Sequence, residues 1–176
     1  MTAFTALYDK YATPIYRFTY YRTFDRQLAE DLTSQTFLKA MERIGTFRSS
    51  KGNFGAWLYQ IARNTVTDHF RAARPVDVLD EESPVAASDD PKGDAANRLQ
   101  FAQVRKALQG LDPLKRDIVM MRLWDGLSYK EIAAVVGKSE GNCKVIFCRT
   151  LDGLRSQLGP AMISLLLFPS LFSITR

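Results

Sequence analysis

An all-α protein of two small helical domains, joined by an acidic flexible linker, is the fold class predicted by three features of this 176-residue sequence. Apolar residues recur at helical spacing through two long blocks, and neither block shows strand-like alternation or an internal repeat. Between the blocks lies RPVDVLDEESPVAASDDPKGDAA, whose Pro, Ser, Asp and Gly content without helical period marks a linker. Charge divides at the same place. Residues 76–94 hold seven acids and one base, whereas residues 1–75 carry a net charge of +5 and residues 95–176 of +6. Two basic bodies favour a polyanionic partner through counterion release; the acidic strap is open to three readings, a solvated spacer, a segment lying in a basic channel of a partner, or a mask for the basic blocks until a partner arrives.

In the first block, Phe4, Leu7, Tyr8, Tyr11, Ile15 and Phe18 space out as one face of a helix. A second helix follows Asp25, an N-cap residue, and Leu28, Leu32, Phe37, Met41 and Ile44 are expected to form its buried stripe up to a stop at Gly45. After the polar loop TFRSSKGN, a third helix runs as FGAWLYQIARNTVTDHFRAAR to Pro75, because the residue before a proline resists helical torsions. The second block opens with a helix carrying Leu99, Val104 and Leu108 and ending near Gly110. Asp112 then caps a helix with Pro113 at its first position. Ser128 and Glu131 form a capping box for a short helix stopped by Gly137, and a longer helix follows. Short helix, glycine turn and long helix make the unit that lays its second helix in a DNA major groove.

Composition narrows the function classes. Apolar residues make up 46% of the chain, ample for packed cores, so disorder throughout is excluded. The start lacks the basic end, apolar run and small-residue cleavage site of a secretory signal, and a cytoplasmic protein is expected. Cys143 and Cys148 lie inside a helical pattern without the spacing of a zinc site and read as buried or idle thiols; the single histidine, His69, has no metal-ligating neighbour in sequence. There is no Gly-rich phosphate loop or nucleophile elbow, so no catalysis, cofactor, metal or small-molecule substrate is expected.

The segments AEDLTSQTFLKAMERIGTFR, WLYQIARNTVTDHFR and WDGLSYKEIAAVVG, in this order and at these separations, resemble the extracytoplasmic-function group of bacterial sigma factors over about Phe4 to Leu158. The resemblance implies that residues 1–75 form a sigma-2-like three-to-four-helix bundle, residues 76–95 the linker, residues 96–159 a sigma-4-like helix-turn-helix domain, and residues 160–176 an apolar tail. It further implies docking on the β′ clamp helices of core RNA polymerase and on its β flap, reading and melting of promoter DNA at the minus-ten element, reading at the minus-thirty-five element, and control by an anti-sigma factor. The resemblance makes the second helix the expected docking helix, with Asp31, Ser34, Gln35 and Glu42 on its outer face. Catching an extruded base calls for aromatic and hydrogen-bonding groups. By the resemblance, Phe47 is expected to wall that pocket and Asn64 to read the base edge, while Arg48, Lys51, Arg63 and Arg71 are expected to follow phosphates. Trp57 opens a buried-looking pattern and is expected in the core, with Phe54 undecided.

On a helical wheel of the last helix, Cys143, Phe147, Leu151, Leu154 and Leu158 form the core seam. Asn142, Val145 and Arg149 lie opposite, with Lys144, Ile146 and Cys148 toward the flanks and Ser139 at the helix start. Members of the resembled family commonly have Ser-Arg where this chain has Val145-Ile146, so altered reading of the upstream element is expected, with Ser139, Asn142, Lys144, Val145 and Arg149 as its DNA contacts. The tail, GPAMISLLLFPSLFSITR, is too short and too interrupted to span a bilayer and is expected to pack over Ile146 and Cys148. Two other readings stay open: a helix-turn-helix regulator, and a sigma-like adaptor that does not read promoters.

Overall fold

The computed structural model describes residues 3–48, 50, 53–73 and 95–159. The linker (76–95, apart from its final residue), the tail (160–176), Lys51 and the expected helix end at Pro75 lie outside the described residues. Within them are seven α-helices, one 3₁₀ turn and no strand, in two compact units that divide between residues 88 and 89.

The first unit comprises α1 (Ala3–Thr23), α2 (Arg26–Arg43), a 3₁₀ turn (Ile44–Thr46) and α3 (Phe54–Ala72). Helix α1 runs through Pro14, forgoing one backbone bond there, and is held by Ile15 and Phe18, both fully buried. Of the expected α1 face, Phe4, Leu7 and Tyr11 are half-buried and Tyr8 is exposed. Asp25 caps α2 as expected, its carboxylate accepting the Leu28 N–H at 2.9 Å. Between them stands Phe24 at φ 54°, a left-handed conformation unusual for a bulky residue. Its ring is buried beside Tyr20 and Tyr21, and its N–H donates to the Tyr20 carbonyl at 2.6 Å.

The buried face of α2 differs from the expected stripe. Leu32 and Phe37 are inside, but Met41 is 50% and Ile44 48% exposed, and Leu28 is only half-buried. The positions that meet the rest of the unit are Ala29, Thr33, Thr36 and Ala40, whose small side chains allow close helix approach. Counting large apolar residues missed them because threonine hides its polarity locally. Thr33 donates to the Ala29 carbonyl, Thr36 to the Leu32 carbonyl, and the Thr19 and Thr33 hydroxyls meet at 2.9 Å across the α1–α2 crossing. Gly45 does not terminate α2 with a left-handed residue; it sits inside the 3₁₀ turn that continues the helix. Helix α3 is capped by Asn53, whose Oδ1 accepts the Ala56 N–H at 2.7 Å, and buries Leu58, Tyr59, Ile61, Ala62, Thr65 and Val66. Tyr59 meets Phe18 edge to face at 5.5 Å, and Lys39 of α2 donates to Thr65 at 3.2 Å.

The second unit comprises α4 (Ala95–Gln109), α5 (Pro113–Leu123), α6 (Tyr129–Val136) and α7 (Glu140–Leu158). Val104 and Leu108 are buried as expected, while the Leu99 side chain lies outside what is described. Asp112 accepts the Leu114 N–H at 2.9 Å, with Pro113 at the first helical position. The buried Arg116 donates to the carbonyls of Gln109 and Leu111, tying α5 to the exit of α4. Ser128 and Glu131 close their capping box, and Gly137 ends α6 at φ 68°. None of the described helices is long and apolar enough to cross a membrane.

Candidate polymerase and nucleic-acid interfaces

The loop after α2 delivers three rings to the start of α3. Phe47 leaves the 3₁₀ turn in extended conformation, and its ring lies 5.6 Å from both Phe54 and Trp57, which are 5.4 Å from each other. Tyr11 of α1 adds a fourth ring 5.5 Å from Phe54, with the Lys10 ammonium 5.2 Å over it. Gly55 makes room for that approach, since a Cβ there would stand 3.2 Å from the Tyr11 ring. All four rings are half-buried, so each keeps surface open to a ligand. Trp57 therefore departs from the expected core position: the rings pack on each other rather than inside the bundle.

At 100° per residue, Trp57, Gln60, Asn64 and Arg71 fall within about 60° of one another on α3, a stripe about 21 Å long. It lies opposite the buried face, and Gln60, Asn64 and Arg71 are exposed. The structure thus brings Asn64 and Arg71 onto one face and joins Phe47 to it through Trp57. Arg63 is half-buried toward the side, and Arg48 is exposed but folds over its own turn, donating to the Gly45 carbonyl at 2.8 Å. Gln60 was not singled out from sequence, and Tyr11 only as part of the apolar face of α1. Gln60, one turn before Asn64, was within reach of the wheel; the Tyr11 contact was not, because it joins two helices.

Asp31, Ser34, Gln35 and Glu42 are all exposed on α2, as expected. The face is not wholly polar. Leu38, at its angular centre, is 60% exposed and Met41 borders it. An apolar centre inside a polar rim is the anatomy of a protein-binding surface.

In the second unit, Cys143, Phe147, Leu151 and Leu154 form the expected seam of α7, joined by Thr150, while Leu158 is half-buried. Burial raises the Cys143 thiol pKa, which keeps it protonated and inert. Cys148, by contrast, is exposed. Ser139 is the N-cap, its hydroxyl accepting the Asn142 N–H at 3.2 Å. Asn142, Lys144, Val145 and Arg149 are exposed, and Ile146 is half-buried. The turn before α7 is held by Gly137 and Lys138 N–H groups on the Ala133 carbonyl. Arg122 lies 4.8 Å over the Tyr129 ring, which in turn meets Phe147 at 5.9 Å.

Residues 7–76 match Sigma-70 region 2, and residues 101–152 match Sigma-70 region 4. The chain is 31% identical over 161 residues to the RNA polymerase sigma factor CarQ of Myxococcus xanthus, covering 89% of this chain and 90% of CarQ. It is also 41% identical over 155 residues to the ECF RNA polymerase sigma factor BldN of Streptomyces coelicolor. The chain belongs to the ECF sigma factors. That alignment spans 86% of this sigma factor and 59% of BldN's length. In fold, the chain is similar to the sigma factor RpoE of Bartonella quintana, solved in complex with the anti-sigma factor NepR: the TM-score is 0.68 at 22% identity, covering 90% of this chain and 98% of that one.

Proposed function

We propose that this sigma factor directs core RNA polymerase to promoters and stabilises the melted minus-ten element, with no catalysis of its own. The observation that carries the reading is the stripe Trp57, Gln60, Asn64 and Arg71 on α3, headed by the Phe47, Phe54 and Trp57 rings. Unstacking costs a few kcal/mol per step, and stacking on an aromatic surface returns about 1–3 kcal/mol per base. Asn64 both donates and accepts, as reading a base edge requires, and Arg71, Arg63, Arg48 and Lys51 attract the strand's phosphates.

Residues 1–75 serve core binding and melting, 76–95 link, 96–159 read the minus-thirty-five element through α7 and dock on the β flap, and 160–176 form the tail. The α2 face of Asp31, Ser34, Gln35 and Glu42 around Leu38 suits the β′ clamp helices, because a solvated apolar centre gains most from being covered. The complex of RpoE with NepR supports an anti-sigma partner here as well. The test is run-off transcription with purified core enzyme over a promoter library. Asn64→Ala is expected to change preference in the melted element, and Arg149→Ala only in the upstream element. A chain that neither binds core enzyme nor prefers premelted promoter DNA would end the proposal.

A further inference from the structure

The outer face of α7 is interrupted at one point. Val145 is 47% exposed, the one large hydrophobic side chain so open among the described residues of the second unit. Around it on the helix surface, three and four residues away, stand Gly141, Asn142, Cys148 and Arg149, all exposed. At Gly141 an added Cβ would meet nothing within 4 Å, so the backbone beside Val145 is bare. Val145 therefore has the bare Gly141 backbone on one side and the exposed Asn142 and Arg149 on the other. The helix start is fixed by the Ser139 cap and the Gly137 turn, and Val145 lies less than two turns into α7.

A solvated branched side chain on a helix face that also exposes Arg149 and Asp152 has one apolar complement among the base edges of a major groove. The base edges there present donors and acceptors, and only thymine adds an apolar group, its C5 methyl. The net charge of +6 over residues 95–176 favours DNA as a partner for this part of the chain. We propose that Val145 is a specificity-determining residue that reads thymine: its methyls close on a thymine C5 methyl while Asn142 and Arg149 bond neighbouring base edges or phosphates. This rests on α7 being the helix that reads the upstream promoter element. Ile146, about 100° further round and half-buried, takes no part in the same contact.

The experiment uses the full-length protein with core RNA polymerase and promoter fragments with a constant premelted minus-ten region and a randomised upstream region. The expected result is an upstream element containing thymines, at which deoxyuridine, lacking only the methyl, weakens binding about fourfold per contacted methyl. Val145→Ser removes that discrimination and Val145→Ile keeps it, both at an exposed position that leaves the fold intact. An upstream element whose thymines and deoxyuridines bind alike, or a Val145→Ser protein that still discriminates, overturns this inference and leaves upstream reading standing. Recovery of no upstream element overturns both. If discrimination appears only after residues 160–176 are removed, the tail rather than thymine occupies Val145 in the intact chain, and the inference falls.

Discussion

The first unit turns from α1 into α2 on a phenylalanine; the second turns from α6 into α7 on a glycine. Phe24 and Gly137 share the left-handed region, at φ 54° and 68°. For a residue with a side chain that conformation costs about 1–2 kcal/mol, and Phe24 sustains it because its ring is 8% exposed beside Tyr20 and Tyr21. Gly137 needs no such support, and the caps on either side, Ser128 and Ser139, bond only within their own turns. One turn exists because two helices pack around it; the other is written into a few consecutive residues.

The chain's two tryptophans allow the contrast to be tested, since Trp57 reports on the first unit and Trp124 on the second in single-tryptophan variants. The largest effect is expected for Phe18→Ala, which removes the ring packed on Tyr59 and should cost the first unit about 3–5 kcal/mol in urea unfolding. A loss below 1 kcal/mol would mean that packing does not support this unit. Next, Leu38→Asp should weaken core polymerase binding by roughly thirtyfold or more, about 2 kcal/mol, with the melting temperature unchanged. Equal affinity would remove Leu38 from the docking face. At the turns, Gly137→Ala should cost about 1–2 kcal/mol, and Phe24→Gly should be more stable than Phe24→Ala by about 1 kcal/mol, because both lose the ring but only one keeps the strain. Reversal of that order would show that Phe24 is not held against its preference. The smallest effect is Ser128→Ala, expected to cost about 1 kcal/mol in the Trp124 signal by opening the capping box.

Legibility follows the same division. Asp112, Ser128, Gly137 and the α7 seam were all readable, since a cap or an amphipathic face is specified within four or seven residues. The errors cluster in the first unit. Met41 and Ile44 were expected inside and are exposed, while Ala29, Thr33 and Ala40 took the interior, because α2 meets its neighbours closely and closeness selects small side chains. Asn64 and Arg71 were named as candidate site residues by type and family resemblance, and both stand exposed on α3; the joining of Phe47, Phe54, Trp57 and Tyr11 depends on a loop and two helices.

By itself, the sequence determined that the chain is helical, where most helices begin and end, and that two basic blocks flank an acidic one. These are properties of spacing and of side chains acting on their own backbone, and they do not wait for distant contacts. Tertiary structure alone decided which side of α2 is buried, that Leu38 stands at the centre of its open face, and that four rings meet at the start of α3. Those outcomes depend on which surfaces fit when helices approach, a property of pairs of elements that no single segment contains.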